Sequence, residues 1–152
     1  MEITVLRMAS LRHTGLVVVD IERSKTFYEK HFGFAVKVEA LEAGEVLNNC
    51  LAIDNVRVKT AKMTDTFGNI LELLQFVSHP TTATKNLTYP LNNIGCTHIA
   101  LTVENISLLY DNLTAEGISF TYPPQTSSDG RVKLAFCRDP DGTFIELVEE
   151  LV

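Results

Sequence analysis

The chain has no tryptophan, only three cysteines in 152 residues, and fewer basic than acidic side chains, 13 against 19. Each shortage excludes something. Cys50, Cys96 and Cys137 are odd in number and stand in no CxxC spacing, so neither a disulfide scaffold nor a cysteine metal knuckle is expected. They read as reduced structural thiols. A formal net charge of −6 has the wrong sign for a nucleic-acid partner, whose phosphates require clustered Lys and Arg. It leaves room for an anionic small molecule, because a few local cations outweigh a global balance. No apolar run approaches the roughly 20 residues of a membrane-spanning helix. The first residues show neither the charged start nor the apolar stretch of a secretory signal. The cytoplasm is therefore the expected compartment, with no membrane partner.

What is present is ordinary in amount, 45% apolar and 21% charged residues, and suits one globular domain spanning 1–152. The informative feature is that the chain repeats itself. RVKTAKMTDTFGNILELLQF (57–76) overlays RVKLAFCRDPDGTFIELVEE (131–150) without a gap. The overlay matches Arg57 with Arg131, Val58 with Val132, Lys59 with Lys133, Ala61 with Ala135 and Asp65 with Asp139. It continues with Gly68 on Gly142, Glu72 on Glu146 and Leu73 on Leu147. Upstream, LRHTGLVVVDI (11–21) overlays CTHIALTVENI (96–106) and pairs His13 with His98. Each half thus runs His, helix, strands, Glu.

Local patterns give the elements. Apolar and β-branched residues predict strands over 11–19 and 96–103, and helical periodicity predicts helices over 22–32 and 106–116, stopped by Gly33 and Gly117. Residues 41–51 read as a short extra helix, part of a longer excursion in the first half. Strands are expected at 56–63 and 69–76, near 118–122, and at 132–138 and 143–150, with turns at DTFGN and DPDG. The proline-bearing polar stretch 78–94 reads as a linker between module 1 (about 11–77) and module 2 (about 95–150). The expected fold is α+β, two tandem βαβββ modules forming a curved mixed sheet.

His13, Glu72, His98 and Glu146 lie inside otherwise apolar strand segments, where a carboxylate is costly unless paired or bound to a metal. Strand parity sends Ile70, Glu72 and Leu74 to one face, and Leu71 and Leu73 to the other. Phe144 and Val148 accompany Glu146. Two imidazoles and two carboxylates suit one divalent metal ion, with Zn, Ni, Co, Mn and Fe all admissible. His31 and His79 have no repeat partner and read as surface residues. Tyr28, Phe67 and Tyr122 read as core aromatics. The Arg57/Lys59 and Arg131/Lys133 pairs read as a charged solvent face before they read as an anion site.

The segments HTGLVVVDIERSKTFYEKHFGF, GNILELLQF, THIALTVENI and FCRDPDGTFIELVEE together resemble the vicinal oxygen chelate superfamily (glyoxalase, bleomycin resistance, extradiol dioxygenase). The resemblance runs from about Leu11 to Glu149. It implies paired βαβββ units around a divalent metal ion held by His13, Glu72, His98 and Glu146. All four places being filled is closest to the glyoxalase I and epimerase-like branch. That branch implies a metal-dependent isomerase, epimerase or glyoxalase-type lyase acting by proton transfer next to a carbonyl or enediolate. Glu146 is then the first candidate base and Glu72 the second. The substrate is a small molecule, and a homodimer is the common assembly of the family. Typical glyoxalase I carries Thr-His-Asn-Trp after the position of Glu72, where this chain reads LLQFVSHP. Methylmalonyl-CoA epimerase carries Gly-Ala-His-Gly where this chain reads TSSDGRVKLAF. The alternatives are an Fe(II)-dependent extradiol-type dioxygenase, which lacks a carboxylate at the Glu72 position, and a non-catalytic drug- or antibiotic-binding protein, which usually loses the ligands.

Overall fold

A computed structural model describes residues 9–80, 90–92 and 94–152; the expected linker falls largely outside them. The described residues divide into two compact units. One holds the chain up to Ile21 together with Gly33–Pro80, and the other holds Glu22–Phe32 together with the chain from residue 90 onward.

The first unit is a four-stranded sheet of β1 (Thr14–Val17), β2 (Ala35–Ala43), β3 (Arg57–Thr64) and β4 (Ile70–Phe76), in the order β1-β4-β3-β2. β1 runs parallel to β4 and the other pairs are antiparallel. The short helix α2 (Glu45–Leu51) follows β2, so only the second part of the stretch expected to be helical is so. Its first residues, Leu41–Ala43, complete the β2 ladder against β3. The parity expected along β4 holds: Leu71 and Leu73 are buried, as are Ala61 and Met63 opposite them on β3. Removing Leu73 fully from water contributes about 1.5–3 kcal/mol.

The second unit repeats this sheet with β5 (His98–Thr102), β6 (Gln125–Thr126), β7 (Val132–Arg138) and β8 (Phe144–Glu150), in the order β5-β8-β7-β6. Its helices are α1 (Ile21–Phe32), from Glu22 onward, and α3 (Ile106–Ala115). The architecture is the α+β, βαβββ arrangement expected. One strand departs from the expectation. Residues 118–122 form no strand, only an isolated bridge between Phe120 and Cys137, and pairing resumes for two residues at β6. Pro123 and Pro124 explain the break, because neither carries an N–H to continue a ladder.

The repeat extends to single hydrogen bonds. Gly15 pairs with Glu72 and Ala100 with Glu146 in the same parallel register. The amide of Ile21 donates to the Gln75 side chain and that of Ile106 to Glu149, each at 3.0 Å, so a residue of the last strand caps the helix start in both halves. Each turn is built on an aspartate. Asp65 Oδ1 accepts from the amides of Phe67 and Asn69, and Asp139 Oδ1 from those of Asp141 and Thr143. Gly68 and Gly142 sit at φ of 85° and 88°, a conformation a side chain disfavours.

The second carboxylate oxygen is where the turns differ. Asp65 Oδ2 takes the Asn69 side chain, whereas Asp139 Oδ2 accepts from the hydroxyl of Tyr28 at 3.0 Å, fully buried. Arg23 and Ser24 add contacts to Asp141, so α1 is clamped to the DPDG turn. Burial raises the Asp139 carboxyl above its ordinary range, while the amides of Thr143 and Asp141 and the Tyr28 hydroxyl work against the rise. Burial, and then the charge of Asp139, push the Cys137 thiol up to about 12, which suits an inert structural thiol. Two aromatic expectations fail: Tyr28 is core, but Phe67 and Tyr122 are 90% and 66% exposed, on turn and loop. His31 is not simply a surface residue, since its ring packs edge-on against Phe27.

Candidate metal centre

Each unit gathers one histidine and one glutamate. In the first, His13 Nε2 lies 2.9 Å from Glu72 Oε2; in the second, His98 Nε2 lies 3.3 Å from Glu146 Oε2. The strands dictate this. His13 stands just before β1 and His98 opens β5, each beside the central strand that carries its glutamate. Within either unit these are pairs, and among the described residues no group of three or more His, Cys, Asp or Glu is close enough to hold a metal ion.

Within each unit, an imidazole nitrogen beside a carboxylate oxygen is a donor pair that suits a divalent ion. Ligand bonds of about 2.1 Å separate neighbouring donors by about 3.0 Å at a right angle and about 3.4 Å at a tetrahedral angle. The two observed separations fall at these values. Thr97 Oγ1 lies 2.9 Å from His98 Nδ1, which leaves Nε2 as the ring nitrogen that faces Glu146.

The surroundings of the two glutamates differ through residues that sequence reasoning passed over. Lys62 stands opposite Glu72 in the β3–β4 ladder and places its Nζ 3.4 Å from Oε1. The repeat position opposite Glu146 is Phe136, whose ring packs edge-on against His98 at 5.5 Å. Glu72 is consequently the more enclosed carboxylate, its side chain 12% exposed against 23% for Glu146. The overlay of the halves already paired Lys62 with Phe136; combining it with hairpin register would have placed both beside the glutamates. The repeated basic residues have the opposite parity. Arg57 and Lys59 fall on the other side of β3 from Lys62, and Lys133 on the other side of β7 from Phe136, so they turn away from the ligand face.

The Lys62–Glu72 pair has a modest expected energy, because the lysine is 39% exposed and solvent screens it. Lys62→Met should lower stability by about 0.5–1 kcal/mol in chemical unfolding. An unchanged midpoint would show that the contact contributes nothing to the fold.

Comparison with known proteins places the fold in a family. The family model of the Glyoxalase/Bleomycin resistance protein/Dioxygenase superfamily matches residues 10–147. No curated protein matches the sequence. Among solved structures, a glyoxalase family protein from Bacillus cereus is 23% identical, with a TM-score of 0.87, covering 99% of this chain and all of that one. A glyoxalase family protein from Enterococcus faecalis is 25% identical with a TM-score of 0.63, covering 92% of this chain and 97% of that one. Glyoxalase I from Zea mays is 20% identical with a TM-score of 0.61, and the match takes 91% of this chain but 46% of the plant protein. With nearly its whole length matched by the family model and its fold shared with these structures, the chain belongs to the glyoxalase/bleomycin resistance protein/dioxygenase superfamily.

Proposed function

We propose that the protein is a metal-dependent isomerase, epimerase or glyoxalase-type lyase that moves a proton on the carbon next to a carbonyl of a small molecule. The observation that supports this reading is that each unit holds one such pair, His13 with Glu72 and His98 with Glu146, nitrogen to oxygen at 2.9 and 3.3 Å. In this reading all four side chains hold a single divalent ion, and the protein works as a homodimer.

A divalent ion bound there would polarise the carbonyl and make the neighbouring C–H more acidic. The chain's own residues then have distinct tasks. Glu146, with a hydrophobic neighbour and more solvent access, takes the proton from carbon and returns it. Glu72, tied through Oε1 to Lys62 and through Oε2 to His13, is held in place and is the weaker candidate for movement. Phe136 and Phe144 provide an apolar floor beside Glu146, which keeps water from competing for the proton.

Elemental analysis of untagged protein tests the reading. Wild type is expected to carry about one equivalent of Zn, Ni, Co or Mn, and Glu72→Ala much less. Iron retained equally by both would remove Glu72 from the ligand set and favour a dioxygenase. Absence of metal after reconstitution would sink the reading and leave a binding module.

A further inference from the structure

The two halves differ most in chemistry on the sheet face that carries the glutamates. On the packed face, repeat partners remain apolar: Ala61 and Ala135, Met63 and Cys137, Leu71 and Ile145, Leu73 and Leu147. On the face that carries the glutamates, Lys62 becomes Phe136, Thr64 becomes Arg138 and Ile70 becomes Phe144. The fold does not require these changes, since the first half makes the same sheet without them. They change the charge and aromatic character of that face.

Arg138 is the chemically strongest of them. It stands opposite Phe144 in the β7–β8 ladder, on the side shared with Phe136 and Glu146. Its guanidinium carbon lies over the Phe144 ring, 3.8 Å from the centroid, and one terminal nitrogen donates to the carbonyl of Gly142 at 2.8 Å. These contacts hold the group against the ring and use one of its five N–H donors. Among the described residues no carboxylate pairs with it, and Glu146, the acid on the same face, engages His98 instead. A half-buried, oriented guanidinium with free donors is a prepared receptor for an oxyanion.

We propose that Arg138 binds the anionic end of the substrate, and that the substrate is a short carbonyl compound bearing a carboxylate or a phosphate. Arg138 and Glu146 lie one pleat repeat apart on this face, about 7 Å along the strands. A compound of a few carbon atoms spans that interval with its anion on Arg138 and its reacting carbon at Glu146. The carbonyl part of this statement rests on the proton-transfer reading above; the oxyanion part does not.

The test is therefore made on metal-free protein. Inorganic phosphate and pyruvate are titrated separately into wild type, Arg138→Gln and Arg138→Lys, and followed by amide and Arg Nε–H resonances. At least one anion is expected to move the Nε–H resonance that is missing from the lysine variant. Arg138→Gln should weaken its binding about tenfold or more, with Arg138→Lys between. Phosphate binding without pyruvate binding assigns a phosphorylated substrate, and the reverse assigns a carboxylate. Neither anion shifting that resonance in wild type, or equal affinities in wild type and Arg138→Gln, overturns the proposal. Triple-resonance correlations along the Arg138 side chain assign the Nε–H signal in wild type independently, so it decides the matter even where a variant fails to fold. Metal content, measured separately, reports on the proton-transfer reading alone.

Discussion

Asp139→Ala is expected to cost about 3–5 kcal/mol of stability. Alanine would strip the acceptor from the buried Tyr28 hydroxyl and from the amides of Asp141 and Thr143. Each unsatisfied buried group costs about 1–3 kcal/mol, with part recovered by water at the turn. Asp139→Asn keeps an oxygen for the two amides and should recover most of the loss. The pair also yields a pH signature. Because the Asp139 carboxyl is raised in the folded state, the folded chain holds this proton more tightly than the unfolded chain does. Its favourable contribution is complete below the unfolded value of about 3.9 and is lost as pH rises through the folded value. Wild type should therefore lose stability relative to Asp139→Asn as pH climbs through that interval. Urea unfolding at several pH values reads this directly, and a constant difference between the two proteins would show that the carboxyl is not raised.

Glu146→Gln should slow exchange of the proton next to the carbonyl by about 10²–10⁴-fold, the usual contribution of a general base. The amide keeps an oxygen for metal and nearly the same shape, so the loss falls on proton transfer before it falls on binding. Expressed as a barrier this is about 3–5 kcal/mol. Deuterium incorporation into substrate, followed by NMR with metal content measured on the same sample, gives the answer. Exchange at the wild-type rate in metal-loaded Glu146→Gln would move the base elsewhere, with Glu72 next to be replaced.

Much of this was legible in the sequence because a duplication reports the same fact twice. The match of His13 with His98 and Glu72 with Glu146 gave four candidates, and strand parity gave their shared character. Contacts between residues far apart in sequence stayed hidden. Tyr28 meets Asp139 through packing, and nothing in the helical pattern of ERSKTFYEKHF distinguishes a tyrosine bonded to a turn from one lying in grease. Lys62 and Arg138 needed the hairpin register as well as the repeat. The failed strand at 118–122 is different: Pro123 and Pro124 were in plain view, and their missing N–H groups keep its pairing with β7 from running on into β6.

Those two prolines have a consequence for how the protein keeps to itself. β6 is the edge of its sheet, and an edge with open donors and acceptors is a template on which another chain can pair. Beside it, Pro123 and Pro124 have no hydrogen to offer, and the Gln125 side-chain amide already donates to both of their carbonyls at 3.1 Å. An incoming extended segment finds no donor along those two residues, and acceptors that are already engaged once. What breaks the ladder within the molecule also closes that border to cross-β growth.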